Sequence, residues 1–196
     1  MKKWIATGFV VVAFPMAAAP APESYTLDPP HSIPQFELDY IGFTTIRGRF
    51  DKTSGKFTID RSAKTGSVEF VIEAASVTTG DTERGSRPRT RDEHLRTADF
   101  FNIAEFPRLT FKSTAVTFAG EAPIQVEGQL TMLGVTRPVT LKVERWKCGA
   151  HPFYKKDACG ADAVAKLKRS DFGMKYGIPA LGDEVTLHIG ILGLKD

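Results

Sequence analysis

The chain has 196 residues, 42% of them hydrophobic, with 26 Lys and Arg against 23 Asp and Glu. That length fits one domain and allows a sizeable core. The near balance of charge lacks the basic face that general nucleic-acid binding needs, which excludes that class.

Residues 1–19 read as a secretory signal peptide. Lys2 and Lys3 form a basic start, Trp4 to Phe14 a short apolar run, and Ala17-Ala18-Ala19 the small residues that a signal peptidase requires. Cleavage is expected at about residues 18–21, with Pro20 and Pro22 blurring the bond. The apolar run is shorter than the ~20 residues of a membrane span. Removing Lys2 and Lys3 leaves 24 basic against 23 acidic side chains. The expectation is an exported, periplasmic protein whose folded domain covers residues 23–196.

Beyond the leader, apolar residues recur with period two in many short segments. Pro34, Phe36, Leu38 and Tyr40 share one parity, although a proline inside a strand predicts an edge or a bulge there. Gly55, Phe57 and Ile59 follow, then Val68, Phe70 and Ile72. The one helical interval lies between Thr82 and Phe101. Gly85 and Pro88 break its first part, so the firm helix is expected at about Thr90 to Thr97, within a segment of residues 90–101. Thr90 and Glu93 have the spacing of a capping box. Alternation resumes at Leu109 and Phe111, at Ile124 to Leu130, at Val139 to Val143 and at Val185 to Ile191. Strands so spaced, parted by Gly, Pro, Asp and Ser, predict an all-β antiparallel sandwich or barrel. A barrel of about eight strands can be filled by side chains or hold one small ligand, and periodicity does not decide between them.

Cys148 and Cys159 are an even pair in an exported chain, which favours a disulfide. Closing so short a loop is worth roughly 2.5–3 kcal/mol on the chain-entropy model. The alternative is zinc with His151, which would leave a structural site one ligand short. His31 and His188 lie on separate segments, and no cluster with metal-ligand spacing is visible.

Several motifs stand in a fixed order: Tyr25-Thr-Leu-Asp-Pro-Pro-His-Ser32, Gly42-Phe-Thr-Thr-Ile-Arg-Gly-Arg-Phe50, Arg91-Asp-Glu-His-Leu-Arg-Thr-Ala-Asp-Phe-Phe-Asn102, Phe106-Pro-Arg-Leu-Thr-Phe-Lys-Ser-Thr114, Gly128 to Leu141, and Arg169-Ser-Asp-Phe-Gly-Met-Lys-Tyr176. With them the chain resembles the YceI-like family, the polyisoprenoid-binding lipid carriers, over essentially everything after the leader. Two departures are local. Gly85-Ser-Arg-Pro-Arg-Thr90 looks like an insertion, and Tyr40 stands where family members often carry His.

The resemblance implies an extended lipocalin-like barrel around a long, narrow apolar tunnel for an isoprenoid chain. Each buried methylene contributes about 0.8 kcal/mol, so one five-carbon unit gains roughly 3–4 kcal/mol. A few units offset an association cost of several kcal/mol. The tail therefore sets affinity, and promiscuity among amphiphilic lipids is expected.

Within the family-like motifs, Phe36, Phe43, Leu95, Phe100, Phe101, Phe106, Phe111 and Met132 are the candidate tunnel-lining residues. Any single one of them would more often pack in a core than touch a ligand. Arg87, Arg89, Arg91 and His94 are candidates for a head-group rim that attracts phosphate or an anionic membrane surface. Read without a ligand, that run is a solvated loop, and His94 is a structural hydrogen-bonding residue. No nucleophile elbow, Gly-rich phosphate loop or Cys-x-x-Cys is present, and Asp171-Phe172-Gly173 has neither the Gly-rich loop nor the catalytic loop of a kinase. The expectation is a binding protein without enzymatic activity or cofactor, its ligand an isoprenoid lipid or prenylated quinone. Its partners would be that lipid and, transiently, a membrane surface. A dimer is allowed but not indicated. The competing reading is a filled-barrel interaction or stress-response module without a lipid.

Overall fold

The computed structural model describes residues 21–196, and the expected signal peptide lies outside them. Eleven strands and one short helix follow in order: β1 Glu23–Leu27, β2 Gln35–Tyr40, β3 Thr44–Phe50, β4 Thr53–Asp60, β5 Thr65–Glu73, β6 Val77–Thr78, α1 Arg91–Leu95, β7 Arg108–Ala119, β8 Ala122–Met132, β9 Val135–Ala150, β10 Asp157–Lys168 and β11 Leu181–Lys195. All pairings are antiparallel. Eight strands close a ring in the order β1-β4-β5-β7-β8-β9-β10-β11, and β11 returns to β1 with Tyr25 opposite Lys195. The first half of β11 instead pairs with β2, and the sheet continues through β3 to β6. The expected all-β, eight-stranded barrel is therefore observed, with β2, β3 and β6 as an extension of its wall at one end.

Period-two burial explains why these segments are strands. Along β4, Thr53, Phe57 and Ile59 are buried while their neighbours face water or are half-buried. Along β8, Val126, Gly128, Leu130 and Met132 turn inward. Pro34 does not sit inside a strand. It immediately precedes β2, where its missing N–H costs nothing, and its carbonyl accepts from the Phe50 N–H.

One end of the ring is sealed by aromatics. Tyr25 and Phe57 stack at 4.9 Å, and Trp146 meets Phe57 edge-on at 6.1 Å. Just outside, the Glu23 carboxylate of β1 accepts from Lys195 of β11 at 2.6 Å and from Arg61, after β4, at 2.8 Å. Three consecutive members of the closed ring are thus tied by one carboxylate. The Lys195 hydrogen bond, opposed by partial burial, holds Glu23 below the usual carboxylate range.

The helix is shorter than expected. It spans Arg91–Leu95, capped as a capping box by Thr90 and Glu93, and the chain then turns through Thr97 to Phe101 without continuing it. Cys148 and Cys159 form a disulfide, directly opposite each other on β9 and β10. That pairing overturns the zinc alternative. Cys159 is completely buried.

Candidate functional site: an apolar cavity at the mouth of the barrel

The end opposite the aromatic seal is hollow. A cavity of about 530 Å³ occupies it, within the range of roughly 300–1,000 Å³ typical of small-molecule sites. Below it lies a void of only about 50 Å³. Phe70, Leu141 and Ile189 line both and separate them. The upper half of the barrel is thus a container and the lower half a packed core.

Strands β2, β3, β5, β7, β8, β9, β10 and β11 supply the walls. Of the eight candidate lining residues, Phe36, Leu95, Phe100, Phe101, Phe111 and Met132 border the cavity. Phe101 meets Phe36 and Phe50 edge-on at 6.5 and 5.3 Å, and Phe111 stacks on Phe70 at 5.1 Å to form part of the floor. The other two lie elsewhere. Phe43 is 88% exposed in the β2–β3 turn, because the tight turn throws its side chain off the sheet. Phe106 lies against Gly134, over the β8–β9 turn outside the wall.

Arg87, Arg89, Arg91 and His94 all border the mouth, brought there by α1 and the loop before it. Their charges are mostly committed. Arg87 makes a bidentate contact with Asp81 at 2.7 and 2.8 Å and also reaches the Arg84 and Glu83 carbonyls. Arg89 donates to Asp99 at 3.2 Å, and Arg84 to Glu93. The basic run is therefore largely a stapled loop rather than a row of free cations. Among the described residues, the Arg91 guanidinium forms no ion pair, its side chain reaching only Thr79 Oγ1 at 3.4 Å. Asp92 is buried and accepts from Thr78 and Thr79, which docks α1 on β6. His94 Nε2 lies 2.7 Å from Asp99, and its ring is held between the edges of Phe100 and Tyr176 at 4.9 and 5.0 Å.

Residues invisible to the alternation pattern complete the site. Phe50, Leu167, Met174 and Tyr176 line it, as does Arg169, which is only 3% exposed. The Arg169 guanidinium donates to the carbonyls of Gly182, Met174, Tyr176 and Leu181, holding the 174–182 loop over the cavity edge. Burial pushes its pKa down, and the charge of nearby Asp183 opposes that. Its motif is visible in the sequence, but its burial is not. Among the described residues no group of three His, Cys, Asp or Glu side chains is placed to hold a metal.

A closed antiparallel barrel with a mouth-end apolar cavity defines a lipocalin-like binding fold. Residues 25–192 match the YceI-like domain model, and the chain belongs to that family. It is 36% identical over 166 residues to Protein YceI of Escherichia coli O6:H1, covering 84% of this chain and 82% of the relative. It is 34% identical over 190 residues to Protein YceI of Salmonella agona, covering 95% and 94%. Among solved structures, Burkholderia cenocepacia BcnA superposes with a TM-score of 0.68 at 24% identity, over 85% of this chain and 98% of that one. A polyisoprenoid binding domain from Saccharophagus degradans superposes with a TM-score of 0.61 at 17% identity, over 89% and 99%. At those identities the structural likeness shows the shared fold.

Proposed function

We propose that this protein sequesters or carries an isoprenoid lipid, a polyprenyl chain or a prenylated quinone, in the periplasm. The observation that carries the reading is the apolar cavity of about 530 Å³ walled by Phe, Leu, Ile and Met side chains. A chain of methyl-branched units gains about 0.8 kcal/mol per buried carbon there and asks for no polar partner. The charged side chains Arg87, Arg89 and Arg91 stand at the mouth, with His94, where a head group would rest. The polyisoprenoid-binding neighbour lends the same direction. The leader and the disulfide between Cys148 and Cys159 support an oxidising, exported setting. A binding role without catalysis fits a site whose polar residues are engaged in holding loops. The filled-barrel alternative describes only the sealed lower half.

The test is to purify the protein, extract it with organic solvent and analyse the extract by mass spectrometry. A prenylated lipid in roughly molar amounts is expected. A lipid-free extract, together with no binding of prenylated probes, would sink the proposal.

A further inference from the structure

Two uncharged segments meet beside the cavity mouth. Tyr40-Ile-Gly-Phe-Thr-Thr-Ile46 forms the β2–β3 tip, and Tyr176-Gly-Ile-Pro-Ala-Leu-Gly182 leads into β11. They are joined by the Ile41 N–H donating to Ala180 O at 2.9 Å and by the pairing of Tyr40 with Leu181. Between them they expose Tyr40, Ile41, Phe43, Tyr176 and Ile178, with Phe43 at 88%. Tyr40, Tyr176 and Leu181 also line the cavity, so this surface and the interior form one apolar tract. Fourteen residues without a charge are a poor design for a loop facing only water, whereas exposed Phe and Ile with Tyr at the edge suit a lipid interface. Arg91 and Lys175, at the same rim, form no ion pair among the described residues and would face anionic head groups.

We infer that the mouth docks on the surface of a phospholipid bilayer, with the tips at Phe43 and Ile178 seated in the head-group region. The inference deepens the lipid-carrier reading, since it places the opening against the phase in which a prenyl chain is dissolved. Apolar insertion supplies most of the affinity and charge a lesser share, because Arg84, Arg87 and Arg89 are already neutralised by carboxylates. The far end of the barrel also shows an exposed ring, Phe153. It is followed by Lys155 and Lys156 and lies away from the opening, which makes it an internal control.

The experiment is flotation with mixed phosphatidylethanolamine–phosphatidylglycerol vesicles. It compares the wild-type protein with Phe43→Ser, Phe43→Ser/Ile178→Ser and Phe153→Ser. Each variant is checked for native circular dichroism and for prenyl lipid retained after purification. The double variant is expected to bind vesicles at least about tenfold more weakly, as loss of two inserted side chains implies. It should keep its fold and its bound lipid, while Phe153→Ser binds like the wild type. Three results would overturn the inference: no flotation of the wild type, equal flotation of the double variant, or a larger loss in Phe153→Ser. Sedimentation of the free protein adds a fourth, a dimer that Phe43→Ser dissociates, which would assign the surface to a second copy. A protein that floats but carries no lipid would leave the docking surface standing and reject the carrier reading instead.

Discussion

The Phe111 ring of β7 leans over Gly128 of β8, so closely that a Cβ at 128 would overlap the ring tip. Phe36 does the same over Gly48, and Phe57 over Gly193. In each case a bare backbone position lets an aromatic ring lie along the wall rather than stand into the lumen. For Phe36 and Phe111 this keeps the space above the floor free.

Gly128→Ala should force Phe111 off its seat and toward the cavity. Overpacking of this kind costs about 1–3 kcal/mol. Urea denaturation should show that loss, and lipid extracted per mole of protein should fall with it. A variant of unchanged stability and unchanged lipid content would contradict the account of the floor.

Replacing Phe101 separates wall from core. Phe101→Ala removes a ring that closes on Phe36 and Phe50, and should destabilise the lipid-free protein by about 3–5 kcal/mol. Added prenyl lipid fills the space left, so part of the loss should return as a ligand-dependent rise in Tm. Phe101→Asp leaves an uncompensated charge facing an apolar chain, a desolvation cost of several kcal/mol. It should abolish lipid retention, and retention in a folded Phe101→Asp protein would reject the tunnel-lining role.

At the rim, the two arginine environments predict different behaviour. Arg91→Gln should weaken binding of a phosphorylated polyprenol and spare a neutral quinone, more so at low salt, where an exposed charge is least screened. Arg87→Gln cuts the bidentate tie to Asp81 and loosens the loop, so it should affect both ligands alike. A paired titration of the two ligands against each variant reads the difference.

The stapled loop also has an acid limit. Hydrogen bonds from Arg84 foremost, and then from the Thr90 N–H, lower the Glu93 pKa from its usual 4.5 to about 2. A carboxylate lowered on folding stabilises the fold above its unfolded pKa, and that contribution fades as pH falls through the folded value. Asp81, lowered chiefly by Arg87, acts in the same direction. The denaturation midpoint should therefore decline below about pH 4.5, and Glu93→Gln should flatten the decline between pH 4.5 and 2. An identical acid profile in that variant would contradict the assignment.

Reduction of Cys148–Cys159 should lower stability by roughly 2.5–3 kcal/mol. For a chain of this size that is a fall in Tm of roughly 5–12 °C. The fold should survive, because β9 and β10 remain paired by backbone hydrogen bonds on both sides of the bridge. Thiol labelling followed by a thermal melt measures both effects.

Legibility in the sequence followed side-chain size. Strands such as β4, β5 and β11 alternate large apolar residues with polar ones and can be read directly. Strand β10 turns Ala163 and Ala165 inward, residues too small to mark a face, and it left no clear trace. In β3 the inward position opposite Phe36 is Gly48, which breaks the pattern for a packing reason. The Thr90–Glu93 cap was legible because it is local. Phe43 and Phe106 could not be separated from the lining residues, since motif membership carries no information about the side of a turn on which a ring lies. The role of Arg169 was hidden for the opposite reason, as its four carbonyl partners come together only in the folded loop.

The tie between Glu23 and Lys195 spans 172 positions of the chain. Because β1 and β11 are neighbours in the ring, the lumen has no continuous wall until the final strand has arrived. Contacts so distant in sequence slow folding. The container is therefore complete only when the first and last strands of the ring have met. A wall built this way can be opened at a single seam, the one between β1 and β11, without disturbing the order of the strands on either side.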